Sequence, residues 1–283
     1  MFTRREALLS ALCACLSRPA FAGNAIEAGL SELEHEAGGR VGVYAHDTGS
    51  GEALFSHRAD ERFAMCSTFK APLAAAILAK VDAGALQLDQ RVPYTQADLL
   101  SYAPVARERV AEGALPIRDL CAAAVEVSDN TAANLLLPLL DGPAGFTRWL
   151  RSTGDRVTRL DRNEPELNSN LAGDERDTTT PRAMAVTFDR LLTQDVLSEA
   201  SRREFATWLE KATPGRKRIR AGLPSSWRAG DKTGTGPNGA VNDVAIVYPP
   251  NRAPIVLAIY MTGSSRPSAQ LEPYHARIGA LLS

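Results

Sequence analysis

The placement of alternating segments constrains this chain most. Residues 40–46 alternate Val41, Val43 and Ala45 and read as a strand. Asp47-Thr48-Gly49-Ser50-Gly51 supplies a turn, and residues 52–57 return as the partner strand. Strand patterns resume only after residue 225, at 227–235, 241–248 and 254–262, with Pro237-Asn238-Gly239 and Pro249-Pro250-Asn251-Arg252 as turns. Between them the apolar residues recur at helical spacing, over 67–83, 117–126, 131–140, 145–152, 181–192 and 199–211. Residues 26–37 and 269–282 read as terminal helices. The economical solution is an α+β fold: an antiparallel five-stranded sheet built from both chain ends, flanked by the terminal helices, with an all-helical domain inserted. The expected domains are a discontinuous α/β unit, 23–59 with 213–283, and a helical unit, 60–212, with a cleft between them as the natural place for a site. Residues 156–180 are polar and lack periodicity, and so long a stretch in a compact domain is usually functional.

Residues 1–22 read as an export signal. Arg4 and Arg5 precede a short apolar run, and Ala20-Phe21-Ala22 offers a small-residue cleavage site that places the mature start near Gly23. Thr3-Arg4-Arg5-Glu6-Ala7-Leu8-Leu9 is similar to a twin-arginine signal. No later stretch approaches the roughly 18 apolar residues of a membrane span. The expectation is a periplasmic or secreted protein without a membrane span, acting as a monomer.

Composition excludes several classes of function. Lys+Arg is 32 and Asp+Glu 33, so there is no basic excess to bind nucleic acid. Four cysteines make no C-x-x-C pair and four histidines make no metal-ligand spacing, which argues against a metal centre. With no histidine in a motif, a Ser-His-Asp triad has no support. Only five lysines (Lys70, Lys80, Lys211, Lys217, Lys232) stand against 27 arginines, so a motif requiring lysine arises rarely by chance.

Two of those lysines fall in motifs. Ser67-Thr68-Phe69-Lys70 is the only Ser-x-x-Lys of the chain. At i and i+3 of a helix start its two side chains share a face. Ser67 Oγ is then a candidate nucleophile, with Lys70 or a water as proton acceptor. Ser128-Asp129-Asn130 falls between helices, where these residue types cap backbone. Lys232-Thr233-Gly234-Thr235 lies on a strand, where the glycine permits close approach of another backbone. In the polar stretch, Glu164 and Asn168 are i and i+4, so one helical turn aims both at a single water, while Glu166 points elsewhere.

Taken together, these motifs resemble those of the class A serine β-lactamases, over essentially the whole mature sequence. The stretches Arg218-Ile219-Arg220-Ala221-Gly222-Leu223-Pro224 and Gly230-Asp231-Lys232-Thr233-Gly234-Thr235, with Cys66 before the serine, are similar to the branch that includes serine carbapenemases. The resemblance implies the following roles. Ser67 attacks the lactam carbonyl, and either Glu164 through a water or Lys70 directly is the base. The backbone N–H groups of Ser67 and Thr235 form the oxyanion hole. Ser128 passes a proton to the lactam nitrogen. Asn130 binds the substrate's acylamide. Glu164 and Asn168 hold the hydrolytic water. Lys232, Thr233, Thr235 and Arg218 bind the substrate carboxylate, and Tyr102 forms a pocket wall. Arg162 and Asp177 close the active-site loop near 160–177, and the Glu164–Pro165 bond is cis. No cofactor and no metal are implied.

The chain departs from that branch at one point. The usual disulfide partner of the cysteine before the nucleophile is Gly236 here. Cys121 matches a position that pairs with the nucleophile helix, but that partner position is Ala74. No disulfide is therefore expected between Cys66 and Cys121. The expected activity is hydrolysis of penicillin- or cephalosporin-type β-lactams, giving resistance. The alternative is a D-alanyl-D-alanine carboxypeptidase (a penicillin-binding protein), which shares the lysine- and serine-bearing motifs but does not need Glu164 with Asn168.

Overall fold

A computed structural model describes residues 19–283, so residues 1–18 of the expected export signal lie outside the described residues. Helix α1 spans Pro19–Ala37 and starts earlier than its apolar spacing suggested. Strands β1 (Arg40–Asp47), β2 (Ala53–His57), β3 (Arg228–Thr235), β4 (Val241–Tyr248) and β5 (Ile255–Thr262) form one antiparallel sheet in the order β2-β1-β5-β4-β3. The N-terminal strand thus pairs with the last one, Arg40 opposite Thr262 and Asp47 opposite Ile255.

The period-2 geometry of a strand sorts this sheet's apolar residues into two cores. On β5, Ile255, Leu257, Ile259 and Met261 pack with Leu30 and Leu33 of α1 and with Leu271 and Ile278 of helix α9 (Ser268–Gly279). The alternate residues Val256, Ala258 and Tyr260 belong to the larger core on the other face, with Phe69, Phe146, Phe188 and Phe205. Both faces are covered, which is why β4 and β5 read as nearly continuous apolar runs rather than as alternating ones.

The middle of the chain supplies α2 (Lys70–Asp82), α3 (Pro104–Glu108), α4 (Ile117–Glu126), α5 (Asn130–Leu136), α6 (Gly142–Ser152), α7 (Pro181–Thr193) and α8 (Glu199–Lys211). Two expected helices are reshaped. The first begins as a 3-10 turn, Cys66–Phe69, and becomes α-helical only at Lys70. The segment 131–140 stops being α-helical at Leu136 and continues as the 3-10 turn Leu137–Leu140, because Pro138 has no N–H for the next helical bond. Two small ladders went unread in the sequence. Phe63–Ala64 pairs with Thr178–Thr179, and Arg91–Pro93 pairs with Ala114–Pro116. Each is too short to show periodicity.

The first small ladder brings the far end of the polar segment to the strand just before the 3-10 turn. The segment 161–177 is then closed at its base by Asp177, which is fully buried. Its Oδ2 accepts from Arg162 Nε at 2.6 Å, and its Oδ1 accepts from the N–H groups of Asp161 (2.7 Å) and Arg162 (3.0 Å). Arg162→Ala leaves that carboxylate buried with only its backbone donors. It is expected to lower stability by about 3 kcal/mol, the lower end of the range for an orphaned buried charge, read as a shift in the urea midpoint at unchanged slope.

Candidate active site

The 3-10 turn Cys66–Phe69 carries Ser67, and three residues per turn place Lys70 directly in line with it. The turn is entered through Cys66 at φ +46°, a left-handed conformation that costs energy for a non-glycine residue. Strand β3 lies against it with almost no gap. A Cβ on Gly234 would sit 2.6 Å from Met65 O and 3.2 Å from Ser67 N, so only glycine brings strand and turn together. This is the close approach expected at that glycine.

Ser128-Asp129-Asn130 forms the entry to α5. Asp129 is buried and acts as a structural anchor, its Oδ1 accepting from Ala132 N and its Oδ2 from Val105 N and Ala106 N of α3. The caps hold Ser128 at φ +63°. Lys70 Nζ donates to Ser128 O at 2.9 Å and to Asn130 Oδ1, and lies 3.5 Å from Ser128 Oγ. Lys232 Nζ reaches the same hydroxyl from β3 at 3.0 Å and donates to Thr233 O at 2.9 Å.

Glu164 completes the cluster. Its Oε1 is 3.0 Å from Lys70 Nζ and 3.4 Å from Ser67 Oγ, and its Oε2 accepts from Asn168 Nδ2, as the i, i+4 spacing predicted. Both side chains of the Lys70–Glu164 pair are 0% exposed. Asn168 Oδ1 is buried without a protein partner and Asn168 lines the cleft, whereas Glu166 is exposed. The Glu164–Pro165 peptide is cis.

The cleft above this cluster has a volume of about 280 Å³, with Ser67, Ser128, Asn130, Thr233 and Thr235 on its floor and walls. Tyr102 stands at its rim, 52% exposed, its hydroxyl donating to Val127 O. Arg218 is buried behind the strand end, donating to Thr235 Oγ1 (2.7 Å), Asn242 O (2.7 Å) and Gly234 O (3.1 Å). Every site residue singled out in the sequence thus lies in or under this cleft, except Arg162 and Asp177, which close the loop at its base. Cys66 and Cys121 are both free and buried. Among the described residues there is no metal-binding cluster and no helix long and apolar enough to cross a membrane.

Burial sets the electrostatics. It pulls Lys70 below the usual ammonium range, even against the opposing field of Glu164. Lys232 is pushed down to about 7, by burial first and by Lys70 next. Two ammonium groups converging on one hydroxyl in a desolvated site therefore give up charge readily.

Two residues of the site were not found in the sequence. Asn134 Nδ2 donates to Glu164 O at 2.8 Å and its Oδ1 accepts from Glu164 N at 3.0 Å, clamping that backbone from α5. Its signal was available: an amide one turn after Asn130 in an otherwise apolar helix. Pro214 lines the cleft beside Arg218 and carried no signal at all.

Comparison with known proteins places the chain. Residues 25–283 match the model of the beta-lactamase enzyme family. The chain is 50% identical to beta-lactamase AST-1 of Nocardia asteroides over 84% of its length and 76% of that protein's. It is 47% identical to the carbapenem-hydrolyzing beta-lactamase KPC of Klebsiella oxytoca, over 91% of its length and 88% of that protein's. An ancestral class A beta-lactamase structure superposes with a TM-score of 0.89 at 52% identity, covering 91% of this chain and 98% of that one. Fold, family and sequence agree, and the chain belongs to the class A β-lactamases, enzymes that hydrolyse β-lactams.

Proposed function

We propose that this β-lactamase works through an acyl-enzyme on Ser67, with Glu164 as the base of both half-reactions. The observation that carries the reading is the sharing of one carboxylate oxygen. Ser67 Oγ lies 3.4 Å and Lys70 Nζ 3.0 Å from Glu164 Oε1. As Ser67 Oγ bonds to the lactam carbonyl carbon, its proton passes to Glu164, directly or through a water, and Lys70 steadies the carboxylate. The oxygen that becomes anionic is met by the N–H groups of Ser67 and Thr235, which the Gly234 contact brings side by side. Ser128 then gives its proton to the lactam nitrogen as the C–N bond breaks, and draws a replacement from the lysine pair that faces its hydroxyl. Glu164 returns the Ser67 proton to the lysine pair through Lys70, 3.0 Å away, and is a carboxylate again. In the second half-reaction it takes a proton from a water that Asn168 Oδ1 holds, the water oxygen bonds to the ester carbonyl carbon as the C–O bond to Ser67 breaks, and Glu164 gives the proton to Ser67 Oγ.

Arg218, Thr233, Thr235 and Lys232 bind the substrate carboxylate, Asn130 the acylamide, and Tyr102 packs against the side chain at the rim. The substrates are penicillin- and cephalosporin-type β-lactams. A carboxypeptidase has no use for the Glu164–Asn168 pair, and the relatives are named beta-lactamases, so that reading is not favoured. The signal-like residues 1–22 support export by the twin-arginine route and action in the periplasm or outside the cell. A site completed by one chain supports action as a monomer.

Three outcomes test the reading. The purified chain, residues 23–283, turns over a chromogenic cephalosporin many times, and a single stoichiometric burst would refute it. Glu164→Ala retains an acyl group of substrate mass on Ser67, and normal turnover in that variant would show that another group is the base. Lys232 is a cation below about pH 7 in the free enzyme and neutral above it. KM for an anionic cephalosporin is therefore expected to rise as the pH climbs past about 7. A flat KM between pH 6 and 9 would show that Lys232 keeps its charge.

A further inference from the structure

We propose that Asn170 and Asn238 are positioning residues for the hydrolytic half-reaction, a reading that rests on Glu164 and Asn168 holding the attacking water. The two side chains make a reciprocal clasp between the loop and the turn after β3, on the wall of the hollow behind the loop. Asn170 Nδ2 donates to Pro237 O (3.0 Å) and Asn238 O (3.1 Å) in the turn after β3. Asn238 Nδ2 donates back to Asn170 O (3.1 Å) and Ser169 O (3.3 Å). Thr262 Oγ1 at the end of β5 donates to Asn170 Oδ1 at 3.0 Å, so the whole carboxamide of Asn170 is engaged.

Both residues are left-handed, Asn170 at φ +45° and Asn238 at φ +55°, a conformation that asparagine adopts more readily than other residues with a side chain. The clasp is thus set by residue type as well as by contact.

Its position gives it a task. Asn168 stands two residues before Asn170, and Thr235 three residues before Asn238. One carries the free amide oxygen aimed into the cleft, and the other supplies an oxyanion N–H. The two walls also touch directly, since a Cβ on Gly236 would lie 3.1 Å from Asn168 O and 2.8 Å from Cys66 Sγ. Within the loop, Arg162 Nη2 donates to Ser169 Oγ at 2.9 Å and Asn168 Nδ2 to Pro165 O at 3.0 Å. Behind residues 169–176 lies a hollow of about 900 Å³, and Leu171 is 56% exposed, so that side chain does not pack this limb against the core. The base is fixed by Asp177 and the Glu164 backbone by Asn134. Among the described residues, the hydrogen bonds that tie residues 168–176 to the turn after β3 are those of the clasp.

Acylation uses Ser67 on the 3-10 turn, Lys70 of α2, Ser128 in the turn before α5, Lys232 of β3, and Glu164, whose backbone Asn134 clamps independently of the clasp. Deacylation additionally needs the water at its correct distance from the ester, and a misplacement of about 1 Å costs up to about 100-fold. Releasing the clasp therefore slows the second half-reaction selectively. When deacylation becomes slower, kcat and KM fall together and kcat/KM, which reports acylation, is kept.

The test uses Asn170→Gly and Asn238→Gly, which keep the left-handed backbone and remove only the amides. Steady-state kinetics on a chromogenic cephalosporin, mass spectra of quenched reactions and thermal midpoints are read for both, beside Glu164→Ala. Expected are a fall of about tenfold in kcat with a matching fall in KM, and accumulation of acylated Ser67. Wild-type kcat in both variants, or a lower kcat at unchanged KM as from a partly unfolded sample, overturns the clasp. If Glu164→Ala stalls as the acyl-enzyme while the glycine variants deacylate normally, only the clasp fails. Normal turnover of Glu164→Ala instead overturns the assignment of the base beneath it.

Discussion

The ammonium group of Lys70 is completely buried, and the structure around it is arranged to make that tolerable. A desolvated charge costs several kcal/mol unless it is paired and fully hydrogen-bonded. The partners of Lys70 come from two segments besides its own: the carbonyl of Ser128 and the amide oxygen of Asn130 from the turn into α5, and the carboxylate of Glu164 from the loop. A fourth segment, β3, delivers Lys232 to the Ser128 hydroxyl. Each segment is in turn pinned by something that has no other evident purpose. Asp129 fixes the Ser128 turn, Asn134 fixes the Glu164 backbone, Asp177 closes the loop, and Gly234 lets β3 press on the nucleophile turn. The residue that makes the chemistry possible also dictates how much of the rest is held.

What the sequence revealed follows from this division of labour. Strand β1 was legible because it alternates and β5 because it is continuously apolar, and the turn at Pro237-Asn238-Gly239 marks the hairpin between β3 and β4. The helices were legible where a core face runs for three turns, as in α4 and α8, whose bounds match their spacing. The catalytic residues were legible because each motif is local: Ser67 with Lys70 at i+3, Glu164 with Asn168 at i+4. The supporting contacts were not. Asn134 to Glu164, Asn170 to Asn238 and Asp129 to α3 join residues 23 to 68 positions apart and leave no periodicity behind. Neither did the 3-10 lead into α2, since the four residues Cys66–Phe69 are too few to show a period of their own.

The lysine shortage acquires a physical meaning at this point. Arginine is never deprotonated in proteins and presents a broad fork, whereas lysine gives up its charge when buried. The structure uses each where its chemistry fits. Arg218 is buried and donates to two carbonyls, a hydroxyl and the Glu272 carboxylate, which fixes its fork at the strand end. Lys70 and Lys232 are buried where a proton must move, and burial lowers both. Arginine at either place would lock a proton that the reaction has to pass.

The opposite face of β3 shows the same economy with acids. Asp231 neighbours Lys232 on the strand and so points the other way, toward Asp243 of β4. Burial raises both carboxyls, and Asp243, with Asp231 against it, is held well above the usual range. Arg220 approaches Asp231, and Asp243 Oδ2 accepts the N–H of Ile219 at 3.1 Å. A Cβ on Gly215 would overlap Asp231, so the segment 214–222 is drawn onto this face as closely as a backbone allows. That segment carries Arg218. The acid pair thus seats the arginine proposed to read the substrate carboxylate, while the lysine one residue along points from the other face of the same strand to the Ser128 hydroxyl.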